Sequence, residues 1–426
     1  MKVSKYNITI NNLEEEGYGI VYNTLSRRYV LYDKYKEKLL IDTLDNINKS
    51  ECSAEETEMI EKALKAGLVV KDIHEEVDKI NLNEHNKGYN EEHLKLMLSP
   101  ITDSKFKCIY CYRNNIKRKV EVESERNILK IIDNVIKDIK LVNVVWILND
   151  FLIEFDRLLS ISDKIRHICR RNNFEYKEEI ISSGYSFSDK VIKKIKAMNI
   201  SRLQISIKGT EKIYDEGSPI LNEGESFRNI YENILKLLKN RMPIILRCNI
   251  DNRNYGNVLI LLETIPKVYR ELVSVSLKNS QHDKRKMSFY YLYKVLIDRG
   301  YKYDNDYITC EEYFENGCII DSSGKLIVGD DYDYSEYTSD NLGEKDNVII
   351  SKFNDPNKLE IMSVLDNKEC LDCVELPLCV VSNKLGKIDG TSKCISREVD
   401  GLELNERILL EYYYDKKRNL IEDKVI

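Results

Sequence analysis

The sequence predicts an α/β protein with a partial (β/α)6 barrel at its centre, a small domain before the barrel and a cysteine-rich domain after it. Short segments rich in apolar and β-branched residues recur at 94–99, 142–148, 175–182, 202–209, 243–251 and 271–278. They alternate with helical stretches, which is typical of parallel strands joined by right-handed crossovers. A second observation is size, because 426 residues that are 42% hydrophobic can form two or three cores. A third is that cysteines cluster after the first strand and again near the C-terminus.

Helical stretches connect the strand segments, and the clearest cover 124–140, 155–171, 188–199 and 226–241. Residues 93–300 are therefore predicted to form the barrel. In a parallel sheet, reactive groups lie beyond the C-terminal ends of the strands. We expect functional residues at that edge.

Residues 1–92 are predicted to form a separate domain of winged-helix size. Three β-type runs, YNITI, GYGIVYN and RYVLYD, precede helical patterns at 34–44 and 53–70. Ser53 stands before an acidic turn and is a candidate helix N-cap. The polar stretch 78–92 is predicted to be a linker.

Composition excludes several classes of function. The net charge is −6, so no overall field attracts nucleic acid or an anionic membrane. No apolar run reaches the roughly 18 residues of a membrane span, and the start lacks the apolar core of a signal peptide. We therefore expect a cytoplasmic protein, in which clustered cysteines bind metal or iron–sulfur clusters rather than form disulfides.

The stretch TDSKFKCIYCY, residues 102–112, follows the first strand directly. In this position it resembles the C-x3-C-x2-C signature of radical S-adenosylmethionine (radical SAM) enzymes. In that family three thiolates hold a [4Fe–4S] cluster whose open iron binds SAM. The three corresponding positions here are Ser104, Cys108 and Cys111.

A serine hydroxyl is a hard, weakly acidic ligand, whereas iron–sulfur clusters are held by soft thiolates. The resemblance therefore implies that this loop has lost its cluster and that SAM is not bound. Two alternatives stay open. Cys108 and Cys111 are simply packed thiols, or an intact cluster uses Ser104 or Asp103 as a ligand.

Further positions that contact SAM in the family differ here. Residues 148–151 are Leu-Asn-Asp-Phe where the family has Gly-Gly-Glu-Pro, so two glycines that allow close backbone approach are replaced. The third strand ends in Ser-Ser-Gly at 182–184 and the fourth in Lys-Gly at 208–209, in place of Thr-Asn-Gly and Asp-Gly. The fifth strand still resembles the family, with Arg247, Asn249 and Asp251.

The C-terminal region, residues 301–426, contains the most complete metal-binding pattern, which is Cys370-x2-Cys373-x5-Cys379-x14-Cys394. A close cysteine pair with two further cysteines suits a four-thiolate site. The spacing resembles the second auxiliary-cluster site of the SPASM extension found on radical SAM enzymes that modify peptides. By that resemblance the four thiols hold one [4Fe–4S] cluster; from the spacing alone, tetrahedral zinc is the alternative.

The first auxiliary site of SPASM domains is incomplete in this chain. Cys310 is present, but Gly329 and Asn383 occupy ligand positions, and Cys318 supplies at most one substitute. Cys310 and Cys318 are interpreted as structural residues. The surrounding IIDSSGKLIVG, residues 319–329, predicts a β-hairpin with a Ser-Gly turn.

The remaining metal-ligand types are scattered along the chain. The five histidines, His74, His85, His93, His167 and His282, show no paired spacing and are expected to be solvated or locally packed. Cys52, Cys169 and Cys248 are isolated and are expected to be buried small residues.

The N-terminal domain suggests a partner. Residues 6–33 resemble the opening of peptide maturases whose winged-helix domain captures the leader of a ribosomally made precursor peptide. Such capture works by β-augmentation, in which an extended peptide adds a strand to a sheet edge. The alternative is a domain with a purely structural role.

Two main functions follow from this resemblance. In the first, the chain is a catalytically degenerate radical SAM/SPASM protein that binds a precursor peptide, an active maturase paralogue, or both. In the second, it is an active radical SAM peptide-modifying enzyme with an altered cluster ligand set. A third possibility is electron relay from the C-terminal cluster to a partner.

Overall fold

The structure is a computed structural model that describes only part of the chain. The described residues are 1–11, 13, 17–49, 51–72, 76, 79–80, 93–98, 129, 140–148, 155–185, 187–198, 200–207, 209–211, 226–251, 254–279, 288–303, 317–320, 326–327, 371–378, 385–388, 391–394, 402–421 and 424. They belong to two compact units, Met1–Tyr89 with Asn305–Tyr313 and Ile361–Ile426, and Asn90–Asp304 with Phe314–Glu360.

The described strands and helices follow the alternation expected from sequence. The strands are β1 (Lys2–Val3), β2 (Asn7–Ile10), β3 (Tyr18–Asn23), β4 (Arg28–Asp33), β5 (Val69–Val70), β6 (His93–Leu98), β7 (Leu141–Leu148), β8 (Glu175–Ser182), β9 (Arg202–Ile207), β10 (Ile244–Ile250), β11 (Val273–Asn279), β12 (Gly317–Ile320), β13 (Leu326–Ile327), β14 (Leu385–Ile388) and β15 (Thr391–Cys394). The α-helices are α1 (Glu37–Asp45), α2 (Ala54–Ala66), α3 (Phe155–Arg171), α4 (Asp189–Met198), α5 (Ser226–Lys239), α6 (Tyr255–Thr264), α7 (Tyr290–Asp298) and α8 (Leu404–Lys417), with 3-10 turns at Lys34–Lys36 and Lys267–Leu272. None of these helices combines the length and apolar character that a bilayer crossing requires.

The first unit contains the antiparallel sheet β2-β3-β4 and a separate β1-β5 pair. The predicted cap of α2 is confirmed, because the Ser53 hydroxyl accepts from the Glu56 amide and the Glu56 carboxylate accepts from the Ser53 amide. The prediction that this helix continues to residue 70 is wrong. Gly67 ends it in a left-handed conformation (φ 77°), and the next residues form β5 against β1.

The start of the predicted linker is also corrected. Lys79 and Ile80 are helical, and Ile80 is buried. Residues 81–92 of that stretch lie outside the described residues.

Both faces of the β2-β3-β4 sheet are covered. Side chains from one face, including Val21, Val30 and Tyr32, pack with α1 and α2 in one core. Side chains from the other face pack with Ile408 and Tyr412 of α8 in a second core. The Tyr29 hydroxyl donates to Asp415 Oδ2 at 2.7 Å, across 386 residues of sequence. The C-terminal helix is thus part of the same unit as the N-terminal sheet.

The buried carboxyl of Glu411 makes the packing of α8 pH-dependent. Burial raises its pKa to about 7; nearby Lys424 lowers it and Asp415 raises it. The folded state therefore binds more protons than the unfolded state between about pH 4.5 and 7. Stability falls as the pH rises through this window, by up to about 3 kcal/mol.

We expect Glu411→Gln to slow hydrogen exchange of the α8 amides at pH 8, relative to wild type at the same pH. The difference should shrink as the pH falls through this window and below 4.5, where wild-type Glu411 is neutral in both states. Glu61→Gln, which removes an exposed carboxyl of α2, is the control. Equal protection of α8 in wild type and Glu411→Gln at pH 8 would contradict this assignment.

The second unit contains an eight-stranded sheet in the order β11-β10-β9-β8-β7-β6-β12-β13. Strands β6 to β11 are parallel and adjacent in sequence order, which confirms the α/β prediction and the predicted positions of the strands. In a βα barrel each strand pairs in parallel with the next strand along the chain. Strands β6 to β11 do so, and this topology is consistent with the predicted barrel.

The two strands of the predicted hairpin around residue 324, β12 and β13, pair at the edge of this sheet opposite β11. Ile319 pairs with Ile327 and Ile320 with Leu326, in antiparallel register. Strand β12 also pairs in parallel with β6, joining segments more than 200 residues apart. The Ser-Gly turn itself lies outside the described residues.

Candidate functional site

Most of the predicted cluster ligands lie outside the described residues. This applies to Ser104, Cys108 and Cys111 of the first loop and to Cys370 and Cys379 of the C-terminal set. Cys394 is the last residue of β15, where only its backbone is described. Cys373 is described with its side chain. The predicted ligand sets therefore remain predictions.

Along β9 to β11 the parallel sheet has one apolar face and one face with mostly polar side chains. Along β10 the even-numbered residues are fully buried, while Arg247 and Asn249 are partly exposed on the opposite face. Register places Ser206, Arg247 and Ser276 in one row across three adjacent strands, and Asn249 beside Lys278 in the next. The polar row lies toward the C-terminal ends of the strands.

This polar face has the chemistry of a ligand-binding surface. It brings together two cationic side chains, Arg247 and Lys278, with hydroxyl and amide groups that donate and accept hydrogen bonds. Both cations already interact within the protein. An anionic group that reaches the face would share or replace those interactions. Sequence reasoning identified Arg247 and Asn249 but missed Lys278; the polar and apolar alternation along β10 and β11 was the available signal.

The turn after β10 is held by its own side chains. The Asp251 amide donates to Asn254 Oδ1 at 2.9 Å, and Asn254 Nδ2 donates to the Asn249 carbonyl at 2.8 Å. Asp251 and Asn254 are buried. Thr210 Oγ1 also lies 3.1 Å from Asn257 Oδ1, which links the end of β9 to α6. The C-terminal end of β10 is therefore held in place by side-chain hydrogen bonds. The sequence analysis did not identify Asn254.

The Ser-Ser-Gly turn after β8 is likewise fixed by packing. The Gly184 amide donates to Ser182 Oγ at 3.1 Å, and Asn233 Nδ2 donates to the carbonyls of Gly184 (3.1 Å) and Tyr185 (2.8 Å). Gly184 has φ 88°, and a Cβ there would come 2.8 Å from Ile205. Its glycine is therefore required by local structure.

A buried carboxylate lies on the helix-covered face of the sheet. Glu178 Oε1 accepts from Trp146 Nε1 at 3.1 Å and from the Tyr176 hydroxyl at 2.7 Å, while Oε2 pairs with Arg166 at 2.8 Å. Burial, together with the Glu178 charge, raises the pKa of Tyr176. With both carboxylate oxygens paired, Glu178 joins β7, β8 and α3 and has a structural role.

The isolated cysteines differ from one another. Cys169 and Cys248 are fully buried, as expected, and burial raises the pKa of both thiols to about 12. Such thiols are poor nucleophiles and poor metal ligands. The expectation of burial is wrong for Cys52, which is exposed in the polar segment just before α2. His167 is exposed on α3, as predicted for a solvated histidine.

The segment 371–378 carries the one predicted C-terminal ligand whose thiol is described. Cys373 is partly exposed and is not in a disulfide. Turn hydrogen bonds follow it, from the Leu376 amide to the Cys373 carbonyl at 3.1 Å and from the Leu378 amide to the Glu375 carbonyl at 2.9 Å. Leu376 and Leu378 are buried. Cys373 is therefore a partly exposed thiol on a hydrogen-bonded turn, and the described residues contain no group of three metal-ligating side chains.

Comparison with known proteins supports the resemblance. Residues 99–264 match the Radical SAM superfamily. Native anSMEcpe with bound AdoMet and Cp18Cys peptide has a TM-score of 0.51 at 14% identity, over 77% of this chain and 98% of that chain. SuiB of Streptococcus suis has a TM-score of 0.46 at 15% identity, over 92% and 99%. SuiB bound to precursor peptide SuiA has a TM-score of 0.46 at 14% identity, over 89% and 94%. No curated protein matches the chain. The predicted resemblance to radical SAM proteins is confirmed.

Proposed function

We propose that this chain is a radical SAM-fold protein that captures a ribosomally made precursor peptide and acts beside an active maturase as a recognition or scaffold subunit. In this proposal it does not start radical chemistry itself. The residues 1–92 supply peptide recognition, and the C-terminal cysteines hold a structural [4Fe–4S] cluster or zinc ion.

Peptide capture is supported by the N-terminal sheet, whose two faces are covered while its outer strands lack a further strand in the described part of the chain. α1 and α2 cover one face of β2-β3-β4 and α8 covers the other. Within the described part of the chain, neither β2 nor β4 pairs with another strand on its outer side. In this proposal an extended peptide adds a strand at one of these two edges, and each main-chain hydrogen bond made there contributes about 0.5–1.5 kcal/mol. The similar structure of anSMEcpe, with a TM-score of 0.51, was solved with a bound peptide.

The ligand set of the first loop supports the loss of radical chemistry, because it lacks one of three thiolates. Ser104 replaces a thiolate, and a cluster held by Cys108 and Cys111 alone has two irons without protein ligands. The bulky residues at 148–151 also replace the glycines expected near SAM.

The active-enzyme alternative is favoured by one observation. The polar face with Arg247, Asn249 and Lys278 is intact and rigidly supported at the edge where the family holds its cofactor. In this alternative a cluster with an altered ligand set binds SAM. Iron and sulfide counts after anaerobic reconstitution, with assay of 5'-deoxyadenosine, separate the two: no SAM cleavage and no iron that depends on Cys108 support the scaffold, and SAM cleavage with about four irons that are lost in Cys108→Ala supports the enzyme.

Peptide capture is tested by hydrogen exchange on the full chain, with and without a ribosomally made precursor peptide. We expect added protection in β2 or β4, since a peptide strand pairs with their backbone. Protection confined to β6–β11 would support the enzyme alternative. An unchanged exchange pattern, together with no co-purification with a co-expressed maturase, would refute the proposal.

A further inference from the structure

The hydrogen bonds between β2 and β3 show which main-chain groups of β2 point away from the sheet. The Thr24 amide donates to the Tyr6 carbonyl at 3.0 Å, and this pair continues the antiparallel register of β2 and β3. In an antiparallel pair, residues that bond to the partner strand alternate with residues whose N–H and C=O groups point outward. Ile8 therefore bonds to β3, whereas the main-chain groups of Asn7 and Thr9 point to the outer side.

The outer side of β4 is closed. The Lys34 amide donates to the Gly17 carbonyl at 2.9 Å and continues the register of β3 and β4. By the same alternation, the main-chain groups of Tyr29 and Leu31 point away from β3. Tyr29 is 2% exposed and Leu31 is 1% exposed, main chain included. These outward groups are therefore already buried, and β4 has no room for an added strand.

The outer side of β2 is accessible. Thr9 is exposed, and the other three residues of the strand are half-buried. Among the described residues, no strand pairs with β2 on this side. The strand, Asn-Ile-Thr-Ile, has no charged residue and no proline, and its register has no bulge. Such features commonly protect an exposed edge from pairing, so their absence leaves β2 suited to an added strand.

The two faces of β2 differ, and they determine which side chains a partner strand needs. Ile8 and Ile10 are half-buried and pack against the core that α8 forms with the sheet. Asn7 and Thr9 lie on the opposite face, where Asn7 Oδ1 accepts from Asn23 Nδ2 at 2.8 Å. Side chains of an added strand stand beside those of β2 on the same face. Apolar side chains would therefore cover the two isoleucines, and polar side chains suit the other face.

We propose that the precursor peptide pairs with β2 and not with β4, and that the bound segment alternates apolar and polar residues. The outward main-chain groups of Asn7 and Thr9 form the hydrogen bonds. Ile8 and Ile10 contact the apolar side chains of the peptide and complete their burial. The inference rests on the proposed function and adds the strand that binds and the class of peptide that fits it.

The test uses the full chain and a fluorescently labelled peptide in which valine and threonine alternate. The control peptide has the same composition with its valines contiguous. Fluorescence anisotropy measures both affinities, and hydrogen exchange with the alternating peptide shows where it binds. We expect the alternating peptide to bind about fivefold more tightly, because its valines all lie on the isoleucine side of β2. Exchange should slow in β2 and stay unchanged in β4.

A variant of Thr9 tests the main-chain hydrogen bond. Thr9→Pro removes an outward N–H that β3 does not use, and proline is tolerated at such positions of edge strands. It should weaken binding of the alternating peptide by about two- to twelvefold, the effect of one hydrogen bond. Thr9→Val keeps the N–H and should bind within about twofold of wild type. Unchanged exchange of β3 and β4 in the free variant verifies that its sheet is intact.

The outcomes separate failure of this inference from failure of the proposed function. Slower exchange in β4 but not in β2 would show that the choice of strand is wrong, while peptide capture stands. Equal binding of the two peptides would contradict the alternation, and equal binding by Thr9→Pro would contradict pairing at Thr9. If the Thr9 amide is protected in the free chain, the edge is covered by the chain itself or, where protection rises with concentration, by a second copy, and the inference is wrong. If neither labelled peptide binds and a precursor peptide changes exchange in neither strand, peptide capture fails as well.

Discussion

Ser104→Cys is expected to add an iron–sulfur cluster to this chain. The substitution restores the third thiolate of a C-x3-C-x2-C loop, and three soft ligands hold a [4Fe–4S] cluster that two thiolates and a hydroxyl do not. After anaerobic reconstitution, the iron content should rise by about four per chain relative to the unmodified chain, with a matching increase in sulfide. Metal analysis measures the iron content, and visible absorption in the charge-transfer bands of the cluster reports its formation.

Substitutions in the same loop control for the added iron. Thr102→Cys adds a thiol two residues away at the wrong spacing, and Ser104→Ala removes the hydroxyl; neither should add iron. Cys108→Ala in the Ser104→Cys background should abolish the gain. Eight irons in the unmodified chain would instead show that the loop already holds a cluster, and would favour the active-enzyme alternative.

The second large effect concerns stability, and Arg166→Met is expected to cost about 3 kcal/mol of unfolding free energy. Glu178 has a side chain that is 1% exposed, and Arg166 is the cation paired with it at 2.8 Å. Removal of one member of a buried pair leaves an uncompensated charge, which costs about 3–5 kcal/mol. Urea unfolding followed by Trp146, which is the only tryptophan and donates to Glu178, reports this region directly.

A matched set identifies the cause of this loss. Arg166→Met with Glu178→Gln should recover much of the stability, because the buried group is then neutral and its amide still accepts from Trp146 and Tyr176. Arg170→Met removes an exposed arginine of the same helix and should change stability by less than about 0.5 kcal/mol. A double variant as unstable as Arg166→Met would show that packing of the arginine stem, rather than the buried charge, is responsible.

Much of the second unit was predictable because its signals are local. The six barrel strands occur within a few residues of the apolar segments, and α3 covers the predicted stretch 155–171. Ser53 and Glu56 are three residues apart, so their capping box is visible in sequence. The candidate site was only half predictable. Arg247 and Asn249 were found by resemblance, whereas Lys278 becomes part of the same face through strand register.

The errors came from contacts whose partners are distant in the chain. Val69 and Val70 continue an apolar helical pattern and form a strand because Lys2 and Val3 lie beside them. The packing of α8 on the N-terminal sheet, across 386 residues, and the hydrogen bond from Thr24 to Val374, across 350, leave no periodic signal in either segment.

Residue order alone specified the alternation of strands and helices, the helix cap and the thiol and serine pattern of the first loop, because each depends on neighbours within a turn or a strand. Which surfaces contact one another depends on the shape and burial of whole elements, and this is decided only in the tertiary structure. It determined that helices cover both faces of the N-terminal sheet, that polar residues of β9 to β11 form one row, and that the Cys373 segment is hydrogen-bonded to the N-terminal sheet. The proposed function draws on both levels: it takes the loss of the radical cluster from the loop residues, and peptide capture from a sheet whose two faces are covered and whose outer strands pair with no further strand in the described part of the chain.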